Sequence, residues 1–309
     1  MLKYTIRRLL LLIPTMFFVA VIVFFLAHAA PGSPFDAKSN GDKGLPLATI
    51  ERLENFYGVN KPVHEQFILY LSNVARFDFG NSFRSGRAVT DIIGEQFPVS
   101  AQLGIQALLV ALALALPLGV ISALKQNSMV DYGSLFFATI GTTIPSFVLA
   151  IFAIYFFGVT FHLLPFVGWS TPLHWILPTT ILALGPMAFL TRITRASMLE
   201  AIRQDYVRTA RAKGLGEQVV IVAHVMKNAM IPVATIVGPA VAGLITGSII
   251  IEGIFSVPGM GREFLRSILA RDYPMIMGVY LLYAFMICLA NLSVDLVYGM
   301  LDPRIKVGH

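Results

Sequence analysis

Six apolar runs, each able to reach the roughly 20 residues of a membrane-spanning helix, constrain this chain more than any other feature. They are Leu9 to Ala30, Leu103 to Leu124, Ser134 to His162, Leu173 to Leu190, Ile231 to Ile251, and Met275 to Met300. Charge is scarce to match. Only 13% of the 309 residues are charged, about half the share expected of a soluble domain, and the mean hydropathy is +0.75. So much apolar surface has to face lipid. The expected fold is an all-α membrane protein with six transmembrane helices.

The first run has two readings. Lys3, Arg7 and Arg8 precede it and Ala27-His28-Ala29 lies at its end, the layout of a cleavable signal peptide. At about 22 residues, however, it exceeds the usual apolar core of a signal, and an uncleaved span is the better reading. Orientation follows from Lys and Arg in the short links. They gather before the first run, at Lys125, across the 192–230 link (Arg192, Arg195, Arg203, Arg208, Arg211, Lys213, Lys227) and at Arg304 and Lys306, whereas the 163–172 link has none. Six spans with both termini in the cytoplasm satisfy this pattern. Residues 31–98 then form an external segment, and helical spacing in "LATIERLENFYGV" and "KPVHEQFILYLSNVARF" predicts short helices there, the second starting at Pro62. Thr90 is the expected N-cap of a further helix in "VTDIIGEQFP".

Six helices without a catalytic motif suggest a pathway, and the pathway needs a drive. An ion-coupled carrier places ionisable groups within its spans. The span centres here contain no Asp, Glu, Lys or Arg, and Glu252 and Asp295 fall near span ends. The phosphate-binding pattern G-x-x-x-x-G-K-[ST] is absent too. A chain driven by ATP would therefore draw on another polypeptide, and would need a cytoplasmic surface on which that polypeptide docks. "DYVRTARAKGLGEQ", Asp205 to Gln218, is the candidate surface. Leu199, Ile202, Tyr206 and Ala210 recur at helical spacing, and Gly214 is a plausible helix stop. A helix lying on an anionic membrane surface fits the same residues.

Several motifs extend this reading. "DYVRTARAKGL" with "NAMIPV" at Asn228 to Val233, "MLKYTIRRLLLLIPT", "FDFGNSF", "FPVSAQLG", "EGIFSVPGMG", "RDYP" and "DPRI" run nearly end to end in order. Together they resemble binding-protein-dependent ABC transporter permeases, most closely the oligopeptide and dipeptide group. The wider family often opens its cytoplasmic loop with Glu-Ala-Ala. This chain has Arg208-Thr209-Ala210 at that place, so only the last alanine agrees.

The resemblance implies a single permease domain over residues 1–309 with a cytoplasmic coupling loop at 192–230. Tyr206, Arg208, Thr209, Ala210, Arg211, Lys213 and Gly214 would form the coupling helix region. It also implies an inner-membrane location, a second homologous permease, two cytoplasmic ATPases that hold ATP and Mg, and an external peptide-binding protein. The chain itself would bind no cofactor. Di- and oligopeptides are the implied substrates, with nickel or another non-peptide solute as the alternative.

Polar residues within the runs are candidates to line the pathway: Gln106, Thr139, Thr142, Thr143, Ser146 and Thr246. Interhelical hydrogen bonding accounts for them equally well. Gly243 and Gly247 match the close-packing spacing of membrane helices. The six histidines make no metal-binding pattern, Cys288 is the one cysteine, and the basic residues sit beside spans rather than in a nucleic-acid patch. No nucleophile motif supports an intramembrane protease, and a stand-alone carrier or channel is the remaining rival.

Overall fold

The computed structural model describes residues 2–29, 35 and 47–301. Among them the regular structure is helical apart from one isolated antiparallel bridge, Asn81 with Ala88. Five helices are long and apolar enough to cross a membrane, and a bent helix pair supplies a sixth candidate span.

α1 (Leu2–Ala29) runs without interruption through Pro14. Its far end is anchored: Val23, Phe24 and Ala27 are buried with Tyr273 and Met277, and Phe67 and Tyr70 pack on them. Two short helices follow, α2 (Leu47–Tyr57) and α3 (Val63–Val74), the latter starting after Pro62 as the sequence predicts. Residues 1, 30–34, 36–46 and 302–309, the last including "DPRI", lie outside the described residues.

α4 (Val89–Leu124) is one 36-residue helix rather than a short helix followed by a span. At 1.5 Å per residue it is about 54 Å long, well beyond a hydrocarbon core of roughly 30 Å. Thr90 does not cap it, because Ala88 occupies the cap position and makes no side-chain cap hydrogen bond. Pro98 costs the helix one hydrogen bond but does not end it. The turns on either side are held, Val89 and Ile92 by Met260, Met275 and Val279, and Ser100 by Glu252.

The third apolar run breaks. α5 (Met129–Thr143) and α6 (Ser146–Ala153), prolonged by π-helical turns over Ile154–Thr160, meet at 102°. Pro145 disfavours helical geometry in the residue before it, and Ile144 is extended at φ −87°, ψ 126°.

α7 (Pro172–Ile202) exceeds the predicted fourth run by twelve residues at its C-terminal end. The extension is polar in sequence but buried in fact, with Thr191, Thr194 and Ser197 inside the bundle. Hydropathy therefore marks the end of the lipid-facing surface, not the end of the helix. α8 (Asp205–Ala212) follows, then α9 (Glu217–Val219), π-helical turns over Val220–Met226 and α10 (Lys227–Ile245).

The fifth run also breaks, at Gly247, where φ is +94°. The chain restarts as α11 (Ile249–Ile254) and α12 (Met260–Leu269) before α13 (Tyr273–Leu301).

Small residues let the central helices approach. Ala107, Ala111 and Ala115 of α4 form a stripe against Ala183, Met187 and Leu190 of α7 and Val233 of α10. Gly104 packs on the Leu244 carbonyl, and a Cβ at Gly119 would lie 2.5 Å from that of Thr194. Gly243 meets nothing within 4 Å, so the Gly243–Gly247 spacing is not a helix-packing face.

Two recognised motifs meet outside the spans. The buried Asp272 of "RDYP" accepts hydrogen bonds from Ser82 Oγ (2.5 Å) and Phe83 N (3.0 Å) of "GNSF", and from Met275 N (3.4 Å) at the start of α13.

Candidate functional site

α8 has two unlike sides. Val207 and Ala210, at 0% and 5% exposure, are buried with Ala123 of α4, Met198 and Ala201 of α7, and Val220, Val225 and Ala229. Tyr206, Thr209 and Lys213 recur at three- and four-residue steps and share an exposed side, and Arg208 and Arg211 are exposed as well. The apolar side predicted through Tyr206 thus runs through Val207 instead, because a two-residue turn separates α7 from α8 and resets the helical phase. Ala210 is the residue that this chain shares with Glu-Ala-Ala, and it is the one whose small side chain lets α8 lie close to the bundle.

The ends of α8 are fixed locally. Thr209 Oγ1 donates to the Asp205 carbonyl (3.0 Å), and Arg208 lies 3.7 Å from the Asp205 carboxylate. Gly214, at φ +79°, ends the helix as predicted: its N–H donates to Arg211 O (2.9 Å), while Leu215 N donates to Ala210 O (3.4 Å). Arg211 grips its own chain, through Nε and Nη2 to the two carboxylate oxygens of Glu217 (3.1 and 2.6 Å). Arg208, 3.7 Å from Asp205, and Lys213 are exposed beside Tyr206.

The structure does not bring the six pathway candidates to one place. Thr139, Thr142 and Thr143 of α5 and Ser146 of α6 are exposed and gather around the 102° break. Thr142 Oγ1 also accepts from Arg192 of α7 (2.6 Å). Gln106 is half-buried and accepts from Thr179 (3.2 Å), while Thr246 is buried with its hydroxyl on the Gly243 carbonyl (3.2 Å).

Two buried carboxylates, one beside Ser122 and one beside Ser100 of α4, were not singled out as site residues by the sequence. Near α8, Asp131 is 1% exposed. It accepts two hydrogen bonds from Arg195 (Nε 2.6 Å, Nη2 2.7 Å), one from Ser122 Oγ (2.5 Å) and one from Asn127 N (2.9 Å). The signal for it was Ser128-Met-Val-Asp131, a capping-box spacing at the start of α5, where the Ser128 side chain accepts from Asp131 N.

Beside Ser100, Glu252 is fully buried. It accepts from Ser100 Oγ (2.8 Å), Ser248 N (3.2 Å) and Arg262 N (3.1 Å), and Ser100 Oγ in turn accepts from Met260 N (2.8 Å). Gly247 and Gly259 press on this carboxylate so closely that a Cβ at either would lie 2.5 Å from one of its oxygens. One acid ringed by glycines in an otherwise apolar stretch is the pattern that could have revealed it.

Comparison with known proteins places this geometry. Residues 115–307 match the family described as binding-protein-dependent transport system inner membrane component, and residues 1–104 match the N-terminal part of such membrane components. The chain is 43% identical over 308 residues to the dipeptide transport system permease protein DppB of Bacillus subtilis (strain 168), covering 99% of both. It is 41% identical over 309 residues to the oligopeptide transport system permease protein OppB of Salmonella typhimurium, covering 99% of this chain and all of that one. Among solved structures, an inward-facing form of the MetNI methionine ABC transporter shares the fold, with a TM-score of 0.53 at 14% identity over 69% of this chain and 97% of the other. The chain belongs to the binding-protein-dependent inner membrane components, the non-catalytic multi-span permease subunits of ABC importers.

Proposed function

We propose that this subunit forms, with a second homologous permease, the translocation path of an ATP-driven importer for di- and oligopeptides. Two ATPases dock in the cytoplasm on the exposed side of α8, through Tyr206, Thr209, Arg208 and Lys213, and an external binding protein delivers the peptide. This orientation puts both termini and α8 inside, in agreement with the excess of Lys and Arg at those places. The observation that carries the substrate reading is the end-to-end likeness to permeases of dipeptide and oligopeptide systems. A peptide backbone is costly to strip of water. The exposed hydroxyls at the α5–α6 break suit a path that keeps it hydrated.

The test is purification from the native membrane in mild detergent, identification of what accompanies the chain, and reconstitution of that complex in liposomes. A second permease and ATPases should accompany it, with ATPase retention weakened by Tyr206→Ala. Uptake of a labelled dipeptide should need ATP and be competed by unlabelled peptides. Competition by a nickel chelate but not by peptides would remove the substrate reading. Uptake by the chain alone without ATP would make it a carrier or channel.

A further inference from the structure

The α8 helix can move a pathway only if other helices move with it. Its buried side, Val207 and Ala210, packs on the ends of α4 and α7 and on the lead-in to α10, and no residue of α5 belongs to that cluster. Yet α5 carries three of the exposed hydroxyls at the break, and its far end is uncoupled from α6 by the 102° bend. Gly141 of α5 packs on Leu184 and Ala188 of α7, and at the end of α5 near α8 a buried ion pair adds a polar tie to α7 and α4. Asp131 in its first turn is held by two nitrogens of a fork from Arg195 on α7, and by Ser122 on the last turn of α4. Ala123, the residue after Ser122, touches the α8 cluster, and so does Met198, three residues after Arg195.

From this geometry we infer that Asp131 and Arg195 are a latch that makes α5 follow α8. They are positioning residues for coupling, and touch neither peptide nor ATPase. The forked pair fixes distance and angle together, which a single hydrogen bond does not. Burial of Asp131 keeps water from competing for Arg195, so the joint holds while the ends of the spans are displaced. The inference rests on the proposed docking of ATPases on α8.

The test uses the whole transporter in liposomes. Asp131→Asn/Arg195→Gln removes both charges at once, so neither is left buried without its partner. Peptide transported per ATP hydrolysed should fall roughly tenfold, within the span usual for coupling between sites. Spin labels at Met129→Cys and Ala212→Cys, both exposed positions, in a Cys288→Ser background, report the separation of α5 from α8. With the latch intact, one separation should hold with and without ATP. In the double variant it should shift or broaden when ATP is added.

Unchanged transport per ATP in the double variant, or a separation that shifts with ATP when the latch is intact, overturns the inference. Should the double variant fail to assemble, the labels in the intact latch still decide. Crosslinking from Tyr206→Cys to the ATPase separates the two levels. Its absence removes the docking reading, while its presence beside normal coupling in the double variant removes only the latch.

Discussion

Two levels of α4, one about three turns inside its start and one in its last turn, solve one problem in opposite ways. Each offers a serine hydroxyl to a buried carboxylate on another element, Ser100 to Glu252 and Ser122 to Asp131. The serines are 22 residues apart on one helix, about 33 Å, close to the roughly 30 Å of a hydrocarbon core. Both acids can then sit near the membrane boundaries, where a charge is least costly to keep. At the Ser122 level the carboxylate is met by a cation on another helix, so the joint depends on two side chains. At the Ser100 level the donors are backbone N–H groups and one hydroxyl, and the glycines around it are part of the site. A carboxylate held by an arginine can be relieved by removing its partner. One held by backbone cannot.

That difference predicts the largest effect. Glu252→Ala strips the acceptor from Ser100, Ser248 N and Arg262 N, and buried donors left unmade cost about 1–3 kcal/mol each. A loss of about 4–5 kcal/mol is expected, read as a fall in the thermal midpoint in detergent and in yield from the membrane. No second substitution should restore it. Asp131→Ala should cost about 3 kcal/mol, the lower end for a broken buried pair, because a fifth of the Arg195 side chain is still exposed. Adding Arg195→Gln should recover most of that. If a single partner substitution rescued Glu252→Ala as fully, the contrast between the two levels would fail.

The Ser100 level sharpens further through its glycines. Gly259 has extended backbone, φ −109°, ψ 177°, so any residue can adopt its conformation, and only space forbids a side chain. A Cβ there would meet both Glu252 Oε2 and Ser100 Oγ at 2.5 Å. Gly259→Ala should cost about 1–3 kcal/mol through overpacking. Gly253, in α11 a few residues away, meets nothing within 4 Å. Gly253→Ala should be neutral or stabilise by up to about 1 kcal/mol through helix propensity. Thermal midpoints of the two variants, measured side by side, check the assignment. Equal losses would mean that the carboxylate can shift to make room.

Much of the membrane framework was legible because lipid demands long apolar runs. α13 starts and ends within two residues of the predicted sixth run, and the Pro62 start of α3 and the Gly214 stop of α8 follow from local backbone rules. What the sequence hid is where polarity goes inside. Thr191, Thr194 and Ser197 made α7 look as though it ended twelve residues early, although they are buried among neighbouring helices. Pro98 and Pro145 are the same residue type within apolar surroundings, yet the first lies in a continuous helix and the second stands at a break. Turns fastened on both flanks by Val89, Ile92 and Ser100 separate the first case from the second, and those contacts come from α11, α12 and α13, more than 140 residues further along the chain. The site followed the same division. Gly214 and Ala210 could be placed from local spacing, whereas the partnership of Asp131 with Arg195 spans 64 residues and has no local signature.

A small loss of stability is expected at Gly214, and it inverts the case of Gly259. Nothing lies within 4 Å of a Cβ there, but the residue sits at φ +79°, where an L side chain is strained whatever the space. Gly214→Ala should cost about 1 kcal/mol, and Gly214→Asn less, since asparagine tolerates the left-handed region. Such a cost at an exposed turn leaves insertion and assembly intact. It acts on the junction that ends α8, where Leu215 N reaches back to Ala210 O and Glu217 holds Arg211. If α8 is a lever, its stop has to be stiff. Gly214→Trp, too bulky for a docking surface as well as strained, should then lower peptide uptake per ATP much more than it lowers the thermal midpoint. A Gly214→Trp transporter with normal uptake per ATP would show that the turn bears no load, and would leave the Ser122 end of α4 as a joint that merely holds the bundle together.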